Sequence, residues 1–186
     1  MIEDIINRIR TDLTETFAVV NKWFNIDTNL ISYAPGNGGW TIRQILEHIS
    51  LTNHYLLIII RKGTDKAIRK AKADGPVSIP DNYDLDWNKL ISIEKIGSFI
   101  WERPVHMEPT GKVALNEIKI TLERQVQECI SCLYQMRHGE GILHSTMMSV
   151  NGIGKIDIYH YICFLMQHAK RHLAQMEKIR LEQEQK

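Results

Sequence analysis

The sequence predicts an all-α protein, a four-helix bundle with a long crossover that carries an extra short helix. Three observations lead there. Apolar residues recur every three or four positions over four long stretches, clusters of Gly, Pro and Asn separate those stretches, and nothing alternates with the period of two that a half-buried strand needs. The chain has 186 residues, 44% of them apolar, which suffices for a real core within one domain, 1-186.

The first helix is drawn by Ile2, Ile5, Ile6, Ile9, Leu13, Phe17, Val20 and Phe24, one stripe of about six turns. Residues 25–39 interrupt it with the turn-rich run Pro35-Gly36-Asn37-Gly38-Gly39. The second helix starts sharply. Thr41 is its N-cap, Gln44 stands at the capping-box position, and Trp40 can staple onto Ile45. Its face reads Ile42, Ile45, Ile49, Leu56 and Ile60, continuing through Ala67 and Ala71 to the stop at Gly75-Pro76. Residues 75–112 form the crossover between helices two and three. Pro76, Pro80, Pro104 and Pro109 bracket a shorter helical stretch there, from Leu85 to Ile100. Leu115, Ile118, Leu122, Val126, Cys129, Leu133 and Met136 mark the third long helix. Residues 137–155 contain four Gly and read as a loop, and the last helix runs from Ile156 to near the C-terminus.

Charge excludes some functions. Lys+Arg 23 against Asp+Glu 22 leaves a net charge of +1, which gives no electrostatic argument for nucleic acid or an anionic membrane. Arg61, Lys62, Lys66, Arg69, Lys70 and Lys72 form a basic stretch, but Asp65 and Asp74 interleave and no aromatic accompanies it. It reads as a solvated helix end favoured by the helix dipole. The longest apolar run, Tyr55 to Ile60, is far too short to cross a bilayer, and the charged start MIEDIINRIR lacks the pattern of a targeting segment. A cytoplasmic protein is expected. Three Cys cannot close a disulfide framework, and Cys129-Ile130-Ser131-Cys132 lies within a helical stripe, so core packing outweighs a redox or zinc motif. Gly36-x-Gly38-Gly39 and Gly152-x-Gly154 read as turns, and Trp23, Trp87 and Trp101 as packing residues.

Histidine stands out, with eight in the chain. His168 and His172 are at i and i+4, so both imidazoles project from one face of the last helix, on the stripe of Tyr161 and Leu165. That spacing lets a helix offer two nitrogens to one metal ion. Spacing alone leaves the alternative open, two imidazoles satisfied by polar neighbours or solvent. Ala169 stands where a zinc peptidase has the Glu of its HExxH motif. No His has Glu three residues before it, the nearest approach being Asp157-x-x-His160, which argues against a ferritin-like di-iron site. A third ligand must come from another helix, and His48, three residues past Ile45, is the candidate.

Two segments carry a resemblance. Gly39-Trp40-Thr41-Ile42-Arg43-Gln44-Ile45-Leu46-Glu47-His48-Ile49 is similar to the Trp-Ser/Thr-x-x-x-(Ile/Val)-Leu-x-His-(Leu/Ile) segment of the DinB/YfiT-like superfamily. His168-Ala169-Lys170-Arg171-His172-Leu173-Ala174-Gln175-Met176 resembles its closing His-x-x-x-His-x-x-Gln-(Ile/Met) helix. The resemblance implies an up-down-down-up bundle whose His48, His168 and His172 hold a divalent metal ion, zinc or nickel, with one coordination position open. It implies a metal-dependent hydrolase or a transferase using a low-molecular-weight thiol, acting on a small-molecule substrate; the charge balance and the short apolar runs argue against a nucleic acid or membrane partner. A non-catalytic homodimer without a functional metal is the alternative. Many relatives have Glu where this chain has Asn53. Asn53, His144, Tyr161 and Gln175, with His160, are the candidates to orient the ligands or face the open position.

Overall fold

The computed structural model describes residues 2–85, 88–99 and 104–185. Six α-helices lie within them: α1 (Ile2–Lys22), α2 (Thr28–Ser32), α3 (Ile42–Asp74), α4 (Asn88–Ile91), α5 (Leu115–Gln135) and α6 (Ile158–Glu184). Strands β1 (Ser145–Met148) and β2 (Gly154–Asp157) pair antiparallel, Ser145 opposite Asp157 and Met148 opposite Gly154. The chain is therefore mostly helical. α3 packs on α5 and α6, and α1 packs on the same two helices. The apolar stripes of all four long helices thus face one continuous core. Ile9, Leu13, Ile42, Ile45, Ile49 and Ile60 are almost wholly buried in it, each such side chain contributing about 1.5–3 kcal/mol of transfer free energy.

The sharp start of α3 forms as its sequence demands. Gln44 N donates to Thr41 Oγ1 at 3.2 Å, and Thr41 N donates to Gln44 Oε1 at 3.0 Å. This capping box closes two donors that a helix end leaves open. At the far end Gly75, with φ +89°, turns the chain out of α3. Midway along α3, Gly63 lets α6 approach closely: a Cβ there would lie 2.1 Å from Ile158 Cδ1. Ile158 opens α6, whose N-cap is Asp157, accepting from His160 N at 3.0 Å. The helix therefore starts two residues later than the expected Ile156, because Ile156 and Asp157 belong to β2.

Three stretches differ from expectation. The expected loop 137–155 contains a 3-10 turn at Glu140–Leu143 and then the β hairpin, whose far end turns on Asn151 (φ 48°) and Gly152 (φ 58°). Each strand has four residues, too few for a period of two to stand out. Within 25–39, Asp27 caps the short helix α2 by accepting from Asn29 N at 2.8 Å. Of the crossover helix expected over 85–100, the described residues hold α4, followed by turns that bury Ile93. Trp87 and Trp101 lie outside the described residues, whereas Trp23 is buried. Cys129 is also buried in the core, and that burial raises its thiol pKa. Among the described residues no helix is long and apolar enough to cross a membrane.

Candidate metal centre

α3 and α6 pack against each other, and the contact brings His48 to His168 and His172. The three rings are 4%, 2% and 7% exposed in that order, and one potential ligand atom from each lies within 4.8 Å of the others. His168 and His172 place Nε2 3.1 Å from Nε2, one helical turn apart as their spacing requires. Their ring centroids are 4.5 Å apart, and that of His48 is 5.2 Å from His168 and 4.8 Å from His172.

The outer nitrogens of two rings are occupied. His48 Nδ1 lies 2.7 Å from the carbonyl oxygen of Met107. A carbonyl only accepts, so Nδ1 carries a proton. His172 Nδ1 lies 3.0 Å from Gln175 Oε1, which assigns its proton in the same way. Burial first, then the neighbouring His172 and His48 rings and Arg171, hold the His168 pKa well below that of an ordinary imidazole. Three imidazoles with ring nitrogens converging from two helices form the donor set that a divalent transition-metal ion takes. The residues fit the ion. At 3.1 Å the Nε2 atoms of His168 and His172 are close enough to share a proton or a cation.

His48 is also held from outside its helix. Its neighbour Glu47 is 2% exposed and accepts from Thr110 N at 2.9 Å, Thr110 Oγ1 at 2.8 Å and Gly111 N at 2.7 Å. Arg43 Nη2 donates to the Val113 carbonyl at 2.7 Å. Gly111 adopts φ +70°, where a side chain is strained, and a Cβ would press to 3.3 Å from Gln44 Cγ. The end of the crossover is thereby fastened to the first two turns of α3, and it delivers the Met107 carbonyl to His48. Trp40 covers the His48 ring with centroids 4.7 Å apart. Glu47 and Met107 were invisible to sequence reasoning, since a lone Glu on a helix and a Met in an irregular segment carry no motif.

Two cavities reach the cluster. One, about 380 Å³, is lined by Asn37, Trp40, His48, Ile96, His168, Arg171, His172, Gln175 and Lys178. The other, about 200 Å³, approaches His48 and His168 along a wall that includes Thr52, Tyr55, Leu56, Ile59, Met107, Met148, Tyr161 and Phe164. Of the residues expected around the ligands, Gln175 touches His172, and Tyr161 lines the smaller cavity while donating to the Met147 carbonyl at 2.9 Å. Asn53, His144 and His160 line neither cavity. Five residues past His48 is about 140° around the helix, so Asn53 points into the core, whereas Thr52, about 40° away, faces the smaller cavity. His144 is half-buried beside Gly63, its pKa lowered by burial and then by Lys66 and Lys70. His160 binds the Asp157 carboxylate at 2.9 Å and the Asp84 carbonyl at 2.8 Å.

No curated protein and no solved structure gives a significant match to the chain. A sequence model of the DinB superfamily matches residues 12–176, a span that takes in His48, His168, His172, all of α3 and α5 and most of α6. The chain belongs to the DinB superfamily.

Proposed function

We propose that this is a cytoplasmic metal-dependent enzyme, a four-helix bundle of up-down-down-up topology in which His48, His168 and His172 hold one zinc or nickel ion. The observation that carries the reading is the convergence of three buried imidazole nitrogens within 4.8 Å, with the outer nitrogens of His48 and His172 already hydrogen-bonded. A divalent ion held by three protein ligands leaves a position open and supplies Lewis acidity there, lowering the pKa of a water or thiol that occupies it. The chain's own residues do the rest. Met107 and Gln175 fix the imidazole tautomers, and Trp40 shields one face of His48 from water. That no cysteine forms a disulfide suits a reducing compartment.

Between hydrolysis and thiol-dependent transfer, the cavity linings favour transfer. Among the described residues, neither cavity presents an Asp or Glu to act as general base toward water. A thiol, with a pKa near ~8.5, ionises with far less assistance. The small-molecule substrate and a low-molecular-weight thiol are therefore the expected partners. The test begins with metal. Wild-type protein reconstituted with zinc or nickel holds close to one equivalent per chain, and His168→Ala holds background only. Well under one equivalent in the wild type defeats the reading. A thiol-consumption screen on the loaded protein then separates transfer from hydrolysis.

A further inference from the structure

The two cavities that meet at the imidazoles are chemically opposite. The larger carries the cations Arg171 and Lys178 and no carboxylate among its described lining residues. These two residues are seven apart on α6, two turns along one face. Arg171 is only partly exposed, with Nη1 donating to the Lys95 carbonyl and the guanidinium 5.9 Å from the centre of the Phe99 ring. A cation set in such a partly desolvated position attracts an anion more strongly than one in open water. The smaller cavity has no Lys, Arg, Asp or Glu among its described lining residues, and Leu56, Ile59, Met107, Met148 and Phe164 make it apolar. Its volume of about 200 Å³ holds about six carbon-sized groups at ~30 Å³ each.

We propose that the site takes a small organic anion, its charged end between Arg171 and Lys178 and its hydrocarbon end, of about six carbons, in the apolar cavity. The reacting group then lies at His48 and His168, which both cavities share. This placement of the reacting group rests on the metal-centre reading; the two linings do not. A cationic substrate end meets like charge in the larger cavity, whereas an anionic one is attracted by both residues.

The test uses hexanoate, hexyl phosphate, hexylammonium and acetate as probes, titrated by calorimetry into zinc-loaded and chelator-treated protein. Hexanoate or hexyl phosphate binds at least tenfold tighter than hexylammonium in both forms, and the tighter of the two names the anion. Affinity rises about fourfold per methylene from acetate to hexanoate and levels off by decanoate. Lys178→Met cuts the preference for hexanoate over hexylammonium at least threefold and leaves the chain-length dependence intact. Ile59→Trp flattens the chain-length dependence and leaves the charge preference intact; if that variant does not fold, the length series on the parent protein carries the same arm. Equal binding of hexanoate and hexylammonium, or an affinity independent of chain length, overturns the inference. Zinc is assayed on the same samples. Missing zinc defeats the metal centre and leaves the comparison readable on chelator-treated protein, whereas normal zinc without charge preference defeats this inference alone.

Discussion

The two halves of the imidazole cluster are built differently. His168 and His172 stand one turn apart on α6, and the regular helix by itself sets their Nε2 atoms 3.1 Å apart. His48 stands alone on α3 and takes its orientation from a distant segment, through the Met107 carbonyl and the Glu47 grip on Thr110 and Gly111. One half is specified locally, by helical repeat. The other is specified by tertiary structure, across 59 to 64 residues of sequence. Two imidazoles sharing a helix stay together as long as that helix exists, whereas the third loses its orientation once the crossover end detaches.

Breaking the local half has the largest effect. His168→Ala removes the most deeply buried ligand, and metal content measured by elemental analysis falls to background. Breaking the tertiary half comes next. Glu47→Gln keeps the shape but weakens the acceptance from three donors, which lowers zinc affinity about 10- to 100-fold in chelator competition. The same change costs about 1–3 kcal/mol of stability by denaturant titration. Unchanged affinity in Glu47→Gln shows that His48 holds its place without the crossover. Gln175→Ala is milder, because the helix continues to position His172 after its Nδ1 partner is gone. A loss of metal affinity of about tenfold or less is expected, and a larger loss makes the local half as dependent on outside support as the other.

The smallest effect sharpens the comparison from outside the cluster. Burial lowers the His160 pKa, but the hydrogen bond and charge of Asp157, with the Asp84 carbonyl, outweigh burial, and the net shift is upward. A raised folded-state pKa stabilises the fold fully below the unfolded value near ~6.5 and loses that contribution as pH rises through the folded value. The stability difference between wild type and His160→Gln is therefore larger at pH 5.5 than at pH 9, read from denaturant midpoints, while zinc binding in that variant is unchanged. A pH-independent difference removes the proton linkage. Lost zinc places His160 in contact with the centre.

What the sequence disclosed follows the same division. The stripes of α1, α3, α5 and α6 and the His168–His172 pair are local patterns, and the Thr41–Gln44 capping box formed where its spacing demanded. His48 was legible through the motif around it. The Glu47 clamp was not, since its partners Thr110 and Gly111 sit in an irregular segment whose path no periodicity records. The hairpin escaped for a different reason: Ser145–Met148 alternates over four residues only, and its inner face buries one side chain, Met148. Asn53 shows the converse limit. The Glu that many relatives carry at this position implied closeness to the ligands, but helical rotation turns Asn53 into the core, where neither amide atom has a hydrogen-bond partner.

Met107 belongs to both ends of the site at once. Its carbonyl holds the proton of His48 Nδ1, and the residue forms part of the apolar cavity wall. A molecule filling that cavity and an ion held by the histidines thus lean on the same backbone segment. Whatever free energy one gains or loses by shifting that segment is returned in equal measure to the other. The measured affinity for either is a property of the pair, and a titration of one at fixed saturation of the other reads the coupling directly.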